Sequence, residues 1–336
     1  MVFTTVVGSW PLSNTNENMV KIFNDLINVG IDYPCYPQLV SMINQFLSPF
    51  SKSIVQLEEV ENKFFLYEDF KIPETPLAMQ YGEFISTFLK EHPQLKEKIK
   101  GTKACLTGPF TLTFDVLLKQ NLAKNLKPII FKEPRAVMVD WLVDKFAEMM
   151  KQIGAAYNDL GIDIISMDET ILGLLVGRKP LFHSEDFFIK TINKAVSGIK
   201  NLSSIHVCGV ISPKLRDILL NTNVNIIDLE FSANEDNFSV FEKKHLLESD
   251  KLLAMGTIKS NFPPESNKQL DDYIEDVDFL KKFIQRGIDS YGSENLIIKP
   301  DCGFLPLKAF GDKEGYEIAI RKVKNMVIAL KELEKL

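Results

Sequence analysis

The sequence predicts an α/β protein, a single (β/α)8 TIM barrel with a hairpin and helix excursion after the second strand. Three observations lead there. Eight short apolar, β-rich runs each end in a polar or small residue and give way to helix-like text. Pairs such as Val6-Val7, Ile164-Ile165, Ile226-Ile227 and Ile297-Ile298 sit in runs without clean alternation, as in parallel strands buried on both faces. No repeat and no Gly/Ser-rich or Pro-rich linker divides the chain, so residues 1–336 read as one domain, a length such barrels reach.

The expected strands are 4–9, 31–38, 103–108, 162–169, 204–208, 225–231, 252–257 and 295–302. The first helix is expected over 16–29, where Val20, Phe23, Leu26 and Ile27 recur at helical spacing behind Ser13-Asn14. Pro134 reads as the first turn of a helix running to 160, with Gly161 as its stop. Further helices are expected over 186–201, 213–221, 271–291 and 313–335. The stretch 48–100 is too long for one loop. Within it 53–59 and 63–70 alternate like a hairpin around Glu61-Asn62, and 76–91 reads as a helix.

Hydrophobic residues make up 45% and charged residues 25%, enough apolar matter for a substantial core. A net charge of -6 lacks the basic excess that phosphate backbones demand, which excludes nucleic acid as an expected partner. No apolar run approaches the ~20 residues that span a bilayer, and the first ten residues carry no signal-peptide pattern. A cytoplasmic protein without membrane contact is expected. Four cysteines in a chain of this length do not make a disulfide framework.

In a barrel of this kind the chemistry sits at the C-terminal strand ends. Those ends read Ser9, Gln38, Thr107, Asp168-Glu169, His206 and Cys208, Glu230, Thr257, and Asp301-Cys302. His206 and Cys208 stand two apart in an extended run, which puts both on the same side of the strand. Alone, such a pair is more often packing. With Glu230 and Cys302 it becomes a zinc donor set of imidazole, two thiolates and a carboxylate. So many anionic donors make a poor generator of hydroxide, and the centre suits activation of a substrate thiol for alkyl transfer to sulfur. Cys35 and Cys105 are assigned to packing, and His92, His183 and His245 to the surface.

Five segments and one further residue, Glu230, then carry a resemblance. They are Thr4-Thr5-Val6-Val7-Gly8-Ser9-Trp10-Pro11, Leu106-Thr107-Gly108-Pro109, Met167-Asp168-Glu169, His206-Val207-Cys208 with Glu230, and Lys299-Pro300-Asp301-Cys302-Gly303. Together they resemble the cobalamin-independent methionine synthase family, in the short form that corresponds to its C-terminal catalytic barrel. The resemblance implies a zinc methyltransferase making methionine from homocysteine, with His206, Cys208, Glu230 and Cys302 on the metal. It also implies that Ser9 holds the substrate carboxylate, that Asp168 holds the ammonium group as the catalytic carboxylate, and that Gln38 lies at a substrate-binding position.

The chain departs from the family in places. Lys259-Ser260-Asn261 stands where the family has Asp-x-His, so the relay histidine is missing, and Asp115 replaces a tryptophan. The extra N-terminal barrel of the full-length enzymes is also lacking. From these departures a methyl-corrinoid donor is expected, either methylcobalamin or a corrinoid protein. The alternatives are methyltetrahydrofolate as donor, another thiol such as coenzyme M as acceptor, or a non-catalytic zinc- or corrinoid-binding partner protein.

Overall fold

The computed structural model describes residues 2–127 and 130–335; the other positions of the expected 1–336 domain lie outside the described residues. The described residues form ten strands, β1 (Phe3–Thr4), β2 (Leu57–Val60), β3 (Lys63–Leu66), β4 (Lys103–Thr107), β5 (Val116–Leu118), β6 (Ile164–Asp168), β7 (Leu202–Val207), β8 (Ile226–Leu229), β9 (Leu252–Ile258) and β10 (Leu296–Pro300). Seven of them make one sheet in the order β1-β10-β9-β8-β7-β6-β4, with every neighbouring pair parallel. Helices connect these strands, as parallel pairing requires.

The expected eight-stranded barrel is therefore corrected to seven strands. The missing one is the run 31–38, which touches both edge strands only through isolated parallel bridges, Tyr33 to Thr5 and Cys35 to Lys103, with Gln38 bridged to Ser9. The reason lies in Pro34 and Pro37, which have no N–H to give to a ladder. What pairing remains uses Tyr33 N to Thr4 O (3.0 Å), Gln38 N to Gly8 O (2.8 Å) and Trp10 N to Gln38 O (3.1 Å) on one side, and Lys103 N to Pro34 O (3.0 Å) and Tyr36 N to Lys103 O (3.3 Å) on the other.

The excursion lies where it is expected, between this run and β4, and it is larger than expected. A helix over Met42–Ser53 precedes the hairpin β2–β3. Glu61 and Asn62 both take positive φ, 49° and 61°, which makes the tight turn that suits a two-residue hairpin loop. β5, from beyond β4, adds to β3 in parallel.

The helix Asn16–Val29 forms as expected, with Thr15 accepting from Asn18 N and with Ile22, Phe23, Leu26 and Ile27 buried. Elsewhere the starts move. The long helix begins at Asp140 rather than 134, after a 3-10 turn over Ala136–Met138. The helix expected from 271 starts at Val277, because Asp276 caps it by accepting from Phe279 N at 2.8 Å. His183, expected at the surface, is buried between Asp140 (Nδ1, 2.8 Å) and Val137 O (Nε2, 2.6 Å). No helix among the described residues is long and apolar enough to cross a membrane.

The main apolar core fills the space between sheet and helices. A second, small cluster of Ile164, Ile226, Ala254 and Ile297 lies on the other face of the sheet, floored by Tyr33 and Leu252. Two residues further along three of these four strands, the same face turns polar, with Ser166, Asp228 and Lys299 all buried. That polar layer supports the strand ends.

Candidate metal centre

His206 lies near the end of β7 and Cys208 just beyond it, and their side chains share one side of the extended chain. Cys302 follows β10, whose register against β9 shifts at Lys299/Pro300. Such an irregularity re-aims the strand end. As a result His206 Nε2 stands 3.2 Å from Cys208 Sγ and 3.3 Å from Cys302 Sγ, with the two sulfurs 3.1 Å apart. Among the described residues these three form the one group of His, Cys, Asp or Glu donors close enough to share an ion. Sulfurs on one tetrahedral zinc stand roughly 3.8 Å apart, so a shift of a few tenths of an ångström in each Sγ fits the group to that metal.

Glu230, the fourth expected ligand, is not brought into this group. Its Oε2 accepts from Gly209 N at 3.0 Å and Asn234 Nδ2 at 2.5 Å, next to the cluster. Burial raises its pKa, and the neighbouring Cys302 adds to the rise. The carboxylate is thus within the electrostatic reach of both cysteines.

The ring of His206 is oriented from behind. Its Nδ1 meets Asp228 Oδ1 at 2.6 Å, which leaves Nε2 turned to the sulfurs. Asp228 is fully buried, and burial alone would raise its pKa. Lys299 at 2.7 Å, His206, and Lys103 at 3.4 Å instead hold it well below the usual carboxylate range. Burial likewise opposes a charge on His206, yet Asp228 and Cys302 push it up to about 10. Of the two thiols, Cys302 lies well below the ordinary range because Cys208 donates to it and His206 sits beside it, while Cys208 is raised in return.

Asp168 ends β6, in register with His206, and is buried. Burial pushes it up to about 6 against the pull of His206 and Lys103. Ser9 approaches from the far edge of the sheet, where its O accepts from Phe304 N at 2.7 Å. It comes so close to Gly303 that a Cβ there would stand 1.9 Å from Ser9 Oγ and 3.0 Å from Ser9 Cβ, so any side chain at 303 must displace Ser9. Gln38, bridged to Ser9 through the backbone, is buried, and its Nε2 donates to Gln45 Oε1 at 2.6 Å.

Three buried charges escape a reading of strand ends alone. Asp228, Lys103 and Lys299 are charges inside apolar runs, and that mismatch was the signal for them. Asp301 accepts from Phe231 N, Ser232 N and Ala233 N at 2.7–3.0 Å, fixing the loop after Glu230. Glu169 is wholly buried, with Oε1 accepting from Phe110 N and Oε2 from Thr111 N and Oγ1. It ties β6 to the start of the helix Pro109–Phe114. Cys35 and Cys105 are packed, as expected, with sulfurs 3.6 Å apart.

Known proteins share this arrangement of chain. The chain is 29% identical to a methionine synthase of Methanothermobacter thermautotrophicus over 239 residues, 69% of this chain, and so spans only 64% of that relative's length. It is 25% identical to a methionine synthase of Methanocaldococcus jannaschii over 98% of this chain and 99% of that one. In structure it is similar to a B12-independent methionine synthase from Shewanella sp. W3-18-1, with a TM-score of 0.66 at 16% identity and full coverage of both chains. A methyltransferase from Methanosarcina mazei gives a TM-score of 0.57 at 13% identity, over 98% of this chain and 94% of that one. The family model described as the catalytic domain of cobalamin-independent synthase matches residues 138–332, more than half of the chain and the stretch that holds His206, Cys208, Cys302, Glu230 and Asp168. The chain belongs to the cobalamin-independent synthase family, through its catalytic domain.

Proposed function

We propose that this protein is a zinc-dependent methyltransferase that methylates the thiol of homocysteine to give methionine. The observation that carries the reading is the convergence of one imidazole and two thiols within 3.3 Å of each other at two strand ends, beside the carboxylate of Asp168. Relatives described as methionine synthases support the substrate. His206, Cys208 and Cys302 are the proposed ligands, with Glu230 moving from Gly209 and Asn234 to complete the set. Zinc held there would lower the pKa of a thiol substrate, so that the thiolate is present near neutral pH.

The chain's own residues do the rest. Asp228 keeps His206 in the tautomer that presents Nε2. Asp168, ionised above about pH 6, is suited to receive the substrate ammonium group. Ser9 and Gln38, on the opposite side, are proposed to receive the carboxylate end. The run 31–38 is proposed as the eighth stave of a barrel forming one catalytic unit, acting in the cytoplasm.

The methyl-corrinoid donor expected from the sequence is withdrawn. A family described as cobalamin-independent stands against it. That expectation rested on missing residues, Asp115 for a tryptophan and Lys259-Ser260-Asn261 for a histidine motif, and a missing contact names no replacement. Methyltetrahydrofolate takes its place as the proposed donor. The test is direct: the zinc-loaded protein is mixed with homocysteine and methyltetrahydrofolate, and methionine is followed by mass spectrometry. Methionine at catalytic turnover is expected, and tight zinc without turnover would overturn the reading.

A further inference from the structure

Charged residues inside a sheet are costly unless each finds a partner. β8 carries Asp228 and β10 carries Lys299, and both are fully buried with no exit to solvent. The strand between them, β9, sets Ala254 against Asp228 and Gly256 against Lys299. Across that strand the two charged groups meet. Lys299 Nζ then makes three contacts, to Asp228 Oδ1 at 2.7 Å, Pro300 O at 2.9 Å and Asp301 O at 2.7 Å. An ammonium group has three N–H donors, and all three are used.

Those contacts lead to two different ligand-bearing segments. Through Asp228, Lys299 reaches Nδ1 of His206; through the two carbonyls it grips the turn that carries Cys302. Lys103, buried beside the same carboxylate, touches Asp228 at 3.4 Å and, among the described residues, its ammonium group bonds to no ligand-bearing backbone.

We propose that Asp228 and Lys299 form one positioning unit that presets His206 and Cys302 relative to each other, so that the metal site is shaped by the fold before the ion arrives. The inference rests on the zinc reading above. Lys299 touches no donor atom, and its effect on the metal runs through the atoms it holds.

The test measures zinc affinity of the purified full chain by competition with a chromogenic chelator, alongside circular dichroism and thermal unfolding of the metal-free protein. Asp228→Asn and Lys299→Met are each expected to weaken zinc binding by about 10- to 100-fold, the range for groups that orient a ligand. Their combination is expected to cost little more than the larger single loss, because both act in one unit. Lys103→Met removes an equal buried charge beside the same carboxylate and is expected to stay within about threefold of the wild type, since it holds no ligand-bearing segment. Should Lys299→Met not fold, Lys299→Gln is the substitute, with a loss of at least about fivefold expected. Wild-type affinity in a folded Lys299 variant overturns the proposal, and so does an equal loss in Lys103→Met, which would reduce the effect to general charge. A wild type that takes up no zinc would instead refute the metal centre itself.

Discussion

Asp301 lies directly across Gly256: a Cβ at position 256 would stand 2.2 Å from Asp301 Oδ1 and 2.7 Å from its Cα. The carboxylate reaches over β9 in this way to hold three backbone N–H groups of the loop behind Glu230. Gly256→Ala must displace it and leave those donors without their acceptor. A loss of about 2–4 kcal/mol in urea unfolding is expected, the scale of overpacking plus unmet buried donors. Wild-type stability in this variant would show that the loop does not depend on Asp301.

Removing a donor atom tests the metal centre. Cys302→Ser and His206→Ala are each expected to lower bound zinc by at least about tenfold at equal free metal, because each takes away one of three converging ligands. The far-UV circular dichroism should not change, since the site lies at the strand ends and not in the core. Full zinc content by atomic absorption in either variant would exclude that residue from the coordination sphere.

Asp168→Asn separates substrate from metal. The amide cannot offer a charge to an ammonium group, so KM for homocysteine is expected to rise by roughly 10- to 100-fold. Zinc stoichiometry should stay at the wild-type value. Steady-state kinetics with unchanged KM would remove Asp168 from the acceptor site.

Glu169 supplies a pH dependence. Burial pushes it up to about 7, in spite of the donors at Thr111 and Phe110. An acid whose folded pKa exceeds its unfolded value keeps its proton longer in the folded state. Its stabilising contribution is whole below the unfolded value near 4.5 and declines as pH rises to about 7. The stability of the wild type relative to Glu169→Gln should therefore fall by about 3 kcal/mol between pH 4.5 and pH 7. Denaturant titrations at several pH values measure this difference, and a flat one would mean that Glu169 stays ionised when folded. Near pH 4.5 the Gln variant should be the weaker of the two, because its NH2 faces a backbone N–H that now meets an acceptor oxygen.

Much of this arrangement was legible in the sequence. The apolar runs gave six strands near their true places and a seventh, expected over 4–9, that forms only at Phe3–Thr4, and the positions of His206, Cys208 and Cys302 at strand ends implied their meeting. The run 31–38 looks like a strand by its apolar and aromatic residues, but Pro34 and Pro37 deny it a ladder, and composition outweighed the missing donors in the reading. The helix Met42–Ser53 was hidden by Pro49 in its interior. Helix starts shifted because caps such as Asp276 fix them, and acidic residues upstream of it, Asp271 and Asp272, imitate a start. Asp228 and Lys299 stand out as charges in apolar runs, but their partnership does not show in the sequence. Their roles are defined by each other across an intervening strand, and no spacing along one chain reports such a meeting.

The weak pairing of residues 31–38 has a consequence for how the protein comes apart. Its neighbours are held to it by a few scattered bonds rather than continuous ladders, so the seam between β1 and β4 is the cheapest place for the strands to part. Amide protons of Tyr33, Tyr36 and Gln38 should exchange with deuterium ahead of those in β6 to β8. A molecule that unzips at this margin would leave the imidazole and both sulfurs, on β7 and β10, together until late in the process.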